Sequence, residues 1–444
     1  MFMFHNRIKA LFNSAVSSVA SGISGFTFHP EKDLTRTKKL PAATLLRFLV
    51  SQGASSTRTE LMDFFGMDTQ APSASALNQQ RAKLKATALE AVFRRFSTSV
   101  DALHPSSGYR FLAVDGSSFT FFSTPRFASP EYFVSEGHSA KGFYSMHLTA
   151  LYDLERRTYT DAVLQPVHEK DEFRAFCTMV DRQEISPGIK YVYPGDRGFC
   201  SWNCMAHVRE RGQYFLFRSK DIHSKGITSR FHFPGDGSFD TTVRVTLVRS
   251  HSKKIPVPEG SYRRFVDKKT AFDYIEYGSM DTYTLEFRVV RFPLSDSSYE
   301  CIVTNLPADE FPLERVRECY SARWGIETSF RKLKYTIGLS GFHSYKPEYV
   351  RQEIWAKLTA YNITETLVSH VVVETRDTKH DYQVNFSAAA HICRVFLRQS
   401  AGRIRINVMA LLGRELVPIR KGRQKPRKKT AHFRRPRYFT YRAS

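Results

Sequence analysis

YSARWGIETSFRKLK, residues 320–334, is predicted to form one helix whose polar and apolar side chains follow separate rows. At about 100° per residue, four polar residues share an arc of roughly 60° along about 21 Å of helix: Tyr320, Arg323, Glu327 and Lys334. An apolar stripe runs beside them: Ile326, Phe330, Leu333 and Ile337. A carboxylate between cations suits a site where a negatively charged polymer passes a metal-binding acid. Ordinary ion pairing on an amphipathic helix would give the same row.

The composition indicates a folded and strongly basic protein. The 444 residues are 42% hydrophobic and 14% aromatic, which excludes a disordered chain and predicts about two to four domains. The net charge of +23 favours a polyanionic partner, namely DNA, RNA or an anionic membrane surface. The sequence contains no run of eighteen apolar residues, so we expect no membrane span. Polar residues interrupt MFMFHNRIKALFNSAVSSVASG at the N-terminus, so we expect an amphipathic helix there rather than a signal peptide.

The six cysteines lack paired CxxC spacing, which indicates free thiols in a reducing compartment. Cys200, Cys204 and His207 lie close in sequence, but a fourth ligand is missing. We therefore expect no structural zinc site there.

Residues 1–105 are predicted to be a helical N-terminal DNA-binding domain. Helical spacing occurs in LPAATLLRFLV (40–50), RTELMDFFGM (58–67) and SASALNQQRAKLKATALEAVFRRF (73–96). The last two segments resemble a helix-turn-helix in outline, with a polar surface at Asn78, Gln79, Arg81, Lys83 and Lys85. A plain helical hairpin would have the same outline.

The spacing of apolar residues along the chain changes near residue 106, and the new pattern predicts a mixed α/β fold. Strands and helices alternate over 106–218, which we interpret as the first part of a catalytic core. Residues 219–298 contain β-type runs, including FHFP, RRFV and FDYIEY, and are predicted to form a β-rich insertion. Core residues 299–345 follow, then a helical region, 346–419. A basic tail, 420–444, has eleven Lys and Arg residues and no acid, a composition suited to phosphate contact.

Two carboxylates are predicted at strand ends. Asp115 follows the apolar run YRFLAV, and Asp196 follows the strand in YVYPGDRGF. Each Asp lies next to glycine and could simply be a turn residue. Carboxylates at neighbouring strand ends can also converge, and Glu327 would complete a pocket of three acids. Such a pocket suits two Mg²⁺ ions acting on a phosphodiester.

These motifs together resemble those of bacterial DDE transposases of insertion sequence family four. Tyr320-x2-Arg323-x3-Glu327-x6-Lys334 matches the family's Tyr-Arg-Glu-Lys signature, with every spacing kept. VDGSSF (114–119) and GDRGF (195–199) are similar to its two Asp motifs, and CIVTNLP (301–307) is also similar. The resemblance extends over about residues 40 to 400, and the β-rich insertion lies where the family has one.

The resemblance implies an RNase H-like core that cuts and joins DNA with two Mg²⁺ ions, with Mn²⁺ able to substitute. Asp115, Asp196 and Glu327 would be the catalytic metal ligands. DNA contacts near the transposon end would come from Tyr320, Arg323 and Lys334. The partners would be double-stranded DNA, at transposon ends and target, and a second copy in a homodimeric synaptic complex. No membrane contact is implied, and the location would be the bacterial cytoplasm, associated with the nucleoid.

One feature departs from the family pattern. Some relatives stack a Trp of the insertion on a flipped base during hairpin formation, whereas Trp202, Trp324 and Trp355 all lie outside the insertion. The aromatic residues considered as substitutes are Phe287, Phe292 and Tyr299. Two alternatives to an active transposase stay open: a transposase-derived DNA-binding protein that no longer cuts, and a stand-alone RNase H-like nuclease.

Overall fold

The computed structural model describes residues 4–35, 40–103, 107–135, 142–295, 298–373, 380–399 and 406–419. The predicted basic tail lies outside these residues. The helices are α1 Phe4–Ser21, α2 Ala42–Ser51, α3 Thr57–Phe64, α4 Ala74–Arg81, α5 Thr87–Asp101, α6 Glu172–Arg182, α7 Trp202–Glu210, α8 Leu313–Ser321, α9 Trp324–Arg331, α10 Pro347–Ser369, α11 Phe386–Arg398 and α12 Val408–Arg414. The strands are β1 Gly108–Phe121, β2 Phe133–Ser135, β3 Gly142–Asp153, β4 Thr158–Pro166, β5 Ile189–Gly195, β6 Tyr214–Ser219, β7 Phe239–Val248, β8 Tyr262–Phe265, β9 Thr282–Ser295, β10 Ser298–Thr304, β11 Tyr382–Val384 and β12 Leu416–Pro418.

The centre of the fold is a mixed sheet with the strand order β4-β3-β1-β5-β6. The first three of these strands pair antiparallel, whereas β5 runs parallel to both β1 and β6. Helix α6 connects β4 to β5, and α7 connects β5 to β6, as parallel pairing requires. This topology confirms the predicted RNase H-like core.

The β-rich segment continues the same sheet. Strand β10 pairs with β6, and β9, β7 and β8 follow it outward. No helix occurs within the described residues of 219–298, as the sequence predicts. Two expected strands are absent, however. FHFP and FDYIEY lie in loops, where Phe231, Phe272 and Ile275 are buried without joining the ladder.

Side chains of β1 alternate between two hydrophobic clusters, one on each face of the sheet. Leu112 and Val114 pack with α6 and α7, whereas Ala113 and Phe119 pack against the helical layer that contains α9 and α10. Asp115 belongs to the second set by alternation, because successive residues of a strand point to opposite faces. The face that carries this acid is therefore the face on which α9 packs.

The N-terminal and C-terminal helices form one layer. Residues of α1, α2, α5, α10 and α11 belong to a single hydrophobic cluster. The first of these helices begins at Phe4, so the predicted amphipathic N-terminal helix is confirmed. No helix in the described parts of the chain combines the length and apolar character needed to cross a membrane.

The predicted third N-terminal helix is interrupted. It separates into α4 and α5, because residues near 84 pair with another segment: Lys85 N donates to Phe26 O at 2.8 Å. Arg81, expected on a DNA-reading surface, is 1% exposed. Its guanidinium donates to Gln352 at 2.8 Å and pairs with Glu353 of α10 at 3.1 Å. That expectation was therefore wrong for Arg81, whose charge is neutralised inside the protein.

Residues 320–334 also do not form one straight α-helix. A turn at Ala322–Arg323 separates α8 from α9, and residues Lys332–Ile337 form a π-helix. In the turn, Arg323 N donates to Tyr320 O at 3.0 Å, a bond across three residues rather than four. The angular positions expected for a single straight helix therefore apply only within α9.

Candidate active site

Two of the predicted acids lie side by side on neighbouring parallel strands. Val114 of β1 is in register with Gly195 of β5, so Asp115 and Asp196 each follow a member of this pair. A Cβ on Gly195 would lie 3.1 Å from Val114 and 3.0 Å from Phe217, so glycine allows the close packing there. The parallel ladder thus brings the two carboxylates to one place.

The two acids differ in their backbone setting. Strand β1 does not end at Asp115, contrary to the sequence expectation, because Gly116–Phe121 keep pairing with β3. Asp196 does follow the last residue of its strand, and its Oδ1 accepts from Gly198 N at 2.8 Å. One carboxylate therefore projects from a continuous strand, and the other is oriented by a tight turn.

Glu327 reaches the same region from the first turn of α9. The buried side chains of Ile326 and Phe330 hold this helix in the cluster that covers β1. Arg323 Nη2 donates to Glu327 Oε1 at 2.7 Å, and Arg323 Nη1 lies 3.9 Å from Asp115 Oδ2. Arg323 is 5% exposed, so its guanidinium is largely enclosed beside two of the acids.

The pKa of Asp115 reflects its burial and the charged groups around it. Burial raises the pKa of Asp115 to about 6, while the Gly116 amide and Arg323 act in the opposite direction. The carboxylates of Asp196 and Glu327 raise the pKa further. The site therefore carries more negative charge than one guanidinium neutralises.

The donor set fits the metal that the family resemblance implies. Three carboxylates are the oxygen ligands that Mg²⁺ prefers, and a divalent cation would relieve their mutual repulsion. Within the described residues, no three His, Cys, Asp or Glu side chains lie close enough together to hold a metal ion in this conformation. Arg323 instead provides the nearest positive charge, at 2.7 Å from Glu327.

Tyr320 and Lys334, the other two members of the signature, are largely enclosed by protein. Tyr320 is 4% exposed in a cluster under α8, and burial raises its pKa to about 12. Lys334 is half-buried in the π-helix, with Nζ 5.0 Å from the centre of the Phe119 ring. Burial lowers the pKa of Lys334.

Sequence reasoning missed one exposed aromatic residue at the site. Trp324 is 52% exposed, and its ring centre lies 5.5 Å from the guanidinium carbon of Arg323. At about 100° per residue it lies away from the apolar stripe, a signal that could have identified it. Phe287 and Phe292, considered as stacking residues, are each 1% exposed and therefore buried. The ring centre of Tyr299 lies 3.7 Å from the guanidinium carbon of Arg291.

Residues 106–363, more than half of the chain, match the protein family described as "Transposase DDE domain". The fold thus places the chain in the class of proteins with an RNase H-like core. The chain belongs to the transposase DDE domain family, which confirms the predicted resemblance to DDE transposases of the insertion sequence four type.

Two relatives from Escherichia coli match shorter regions. The chain is 32% identical over 132 residues to the transposase InsG for insertion sequence element IS4 of strain K12, covering 27% of this chain and 29% of the relative. It is 32% identical over 75 residues to the transposase for insertion sequence element IS421, covering 17% of this chain and 20% of the relative. The matches thus span less than a third of either relative.

Among solved structures, the chain is similar to the piggyBac transposase in a synaptic complex with hairpin DNA. The TM-score is 0.45 at 8% sequence identity, covering 89% of this chain and 80% of that one.

Proposed function

We propose that this protein is a DNA transposase that binds the inverted-repeat ends of an insertion sequence and moves the element by cut and paste. The main support is that Asp115 and Glu327 flank Arg323, and that the strand register puts Asp196 beside Asp115, in a chain of the transposase DDE domain family. The proposed partner is double-stranded DNA, at the element's ends and at the target. The proposed assembly is a homodimer that bridges two ends, in the bacterial cytoplasm and associated with the nucleoid.

In this proposal Asp115, Asp196 and Glu327 hold two Mg²⁺ ions, for which Mn²⁺ can substitute. Bound there, the ions would activate the attacking oxygen and steady the leaving oxygen. The first cut is hydrolysis: a water oxygen bonds to phosphorus, and the 3′-oxygen leaves and takes up a proton. The oxygen of the freed 3′-hydroxyl then bonds to a phosphorus of either the opposite strand, which gives a hairpin, or the target DNA. In both cases the 3′-oxygen of the attacked strand leaves and takes up the proton.

Three residues of the signature are proposed to contact phosphates. Arg323 is supported best, because its guanidinium already lies beside two acids and a phosphate brought to them would be within reach. Lys334 would add a second, partly desolvated positive charge. Tyr320 would contribute from beneath Arg323, whose guanidinium carbon lies 5.8 Å from its ring centre.

The test uses a supercoiled plasmid that carries the gene with its native flanking DNA. Purified protein and Mg²⁺ are added beside an Asp196→Asn control, and the cut ends are mapped. We expect cuts at the repeat boundaries that are absent with the control. Retarded but uncut DNA would favour a silent DNA-binding protein, and cuts scattered without end preference would favour a stand-alone nuclease.

A further inference from the structure

The loop that leaves β6 carries cations without acidic partners. Lys220, Lys225 and Arg230 are exposed on this loop, and the guanidinium of Arg264 in β8 donates to the carbonyl of Ser229 within it. We call Lys220, Lys225, Arg230 and Arg264 the basic track. In the part of the chain that the structure describes, no ion pair within 4.0 Å joins any of the four to a carboxylate.

The acids of the same loop already have partners. Asp221 accepts from Arg291 Nε at 2.8 Å, and this bond helps to lower the pKa of Asp221 to about 2. Asp236 lies 3.3 Å from His223. Neither carboxylate therefore neutralises the basic track, which presents a net positive surface to solvent.

Arg230 and Arg264 are held close together despite their like charge. Arg230 has a φ of 66°, a left-handed conformation that strains any residue with a Cβ. The guanidinium carbon of Arg264 lies 4.7 Å from the Phe231 ring centre, so this side chain is fixed against the loop. Burial and the neighbouring Arg230 both lower the pKa of Arg264. An anion bound between the two guanidinium groups would relieve their repulsion.

The sheet relates the basic track to the acids. Lys220 directly follows β6, two strands from β1, which at about 4.8 Å per strand is roughly 10 Å across the sheet. Arg264 lies on β8, six strands from β1, which is roughly 29 Å across the sheet by the same spacing. It is also displaced along the strands, because its partner on β7, Leu247, lies eight residues beyond Phe239, which is level with Ser219 at the end of β6. Duplex DNA rises about 3.4 Å per base pair, so the separation across the sheet alone corresponds to roughly eight base pairs.

We infer that the basic track binds the phosphodiester backbone of duplex DNA, reaching at least about eight base pairs from the phosphate that is cut. The inference rests on the proposed function, because the acids define the position of the cut. A polyanion fits better than a single phosphate, since the four cations are spread over four strand spacings.

The test compares DNA binding at several salt concentrations by wild type and a triple variant, Lys225→Ala/Arg230→Gly/Arg264→Gln. Glycine at position 230 removes the charge but suits the φ of 66°, so the fold is preserved or stabilised. One duplex extends about twenty base pairs on both sides of the cut, and a second is trimmed to about four. Arg244→Ala is the control, because Arg244 is exposed on β7 and already paired with Glu286 at 2.7 Å.

On the long duplex, the plot of log affinity against log salt should become less steep by about 0.9 per cation removed, or about 2.7 for the triple variant. On the trimmed duplex, the variant and wild type should have equal slopes. Arg230→Lys should retain wild-type binding, and Arg244→Ala should leave the slope unchanged.

Two results would overturn the inference: an unchanged slope on the long duplex, or an equal loss on the trimmed one. A thermal unfolding scan of each variant identifies any loss that comes from misfolding. Failure of the proposed function would look different, because wild-type protein would then show no preference for the long duplex carrying the end over unrelated DNA.

Discussion

Arg81 of the helical layer and Arg230 of the insertion lie in opposite surroundings. Arg81 is 1% exposed and bonded to Gln352 and Glu353, whereas Arg230 is exposed on its loop and has no acidic partner among the described residues. A buried charge must be paired because leaving water is costly, but an exposed charge is free to meet an anion. A net charge of +23 therefore does not locate a DNA surface; the partners of each cation do.

The largest expected loss of stability comes from breaking the buried ion pair between Arg81 and Glu353. Arg81→Met removes one of the two side-chain partners of buried Glu353, the other being His343 at 3.1 Å, so it should lower the free energy of unfolding by up to about 3–5 kcal/mol. Denaturant unfolding measures the loss. Arg244→Met is the matched control on the insertion, where the exposed pair with Glu286 is worth under about 1 kcal/mol. A stable Arg81→Met protein with weakened DNA binding would instead return Arg81 to a DNA-reading role.

The next effect concerns chemistry rather than stability. Glu327→Gln removes one carboxylate of the site, and cleavage should fall by a factor of about 10²–10³ or more. Binding to the transposon end should stay near wild type, because the phosphate contacts are proposed for Arg323 and Lys334. Gel shift and cleavage assays on the same DNA separate the two quantities. Parallel loss of binding and cleavage would contradict a role limited to catalysis.

The acids on strands could be predicted from the sequence because their signal is local. YVYPGDRGF combines a buried apolar run with an acid at its end, and β5 does end before Asp196. The same logic misplaced the end of β1, because its pairing with β3 continues past the Asp115-Gly116 turn signal. Tertiary pairing thus overrode local turn chemistry, while Val114 and Gly195, the residues before the two acids, are in register.

The features that the sequence did not reveal depend on distant partners. Arg81 is buried by Glu353, 272 positions away, and no local pattern identifies such a partner. The π-helix begins at Lys332, whose Nζ lies 2.5 Å from Glu365, a residue with 0% exposure on α10. Helical periodicity predicts an α-helix and a π-helix equally well over so few residues, so tertiary contacts decide between them.

Substituting Trp324 tests whether an aromatic residue beside the acidic side chains stacks on the flipped base in place of an aromatic residue of the insertion. Trp324→Ala should weaken stacking on a flipped base by about 1–3 kcal/mol and reduce hairpin formation accordingly. Fluorescence of 2-aminopurine at the terminal base, together with hairpin yield, measures both. Trp324→Phe keeps an aromatic face and should retain most of the signal. Unchanged fluorescence in the alanine variant would place the stacking residue elsewhere.

The smallest expected effect lies at the contact between the insertion and the core. His207 of α7 bonds Asp181 of α6 through Nδ1 and Asp273 of the insertion through Nε2, each at 2.8 Å. Burial disfavours the charged ring, but these two bonds raise the pKa of His207 above its ordinary value. The contribution to stability is therefore complete below about pH 6.5 and is lost as the pH rises through the raised pKa.

The carboxylates of Asp181 and Asp273 are about half exposed, so the free energy of unfolding should fall by less than about 1 kcal/mol. Thermal unfolding from pH 6 to 9 measures it, and His207→Gln, which cannot carry the charge, should flatten this part of the profile. The same slope in both proteins would assign the pH dependence to groups other than His207. Unlike Glu353, which is buried with Arg81, the side chains of Asp181 and Asp273 are exposed to solvent. The contact of His207 with these two carboxylates joins the insertion to the core, and we expect that it can be titrated without unfolding the protein.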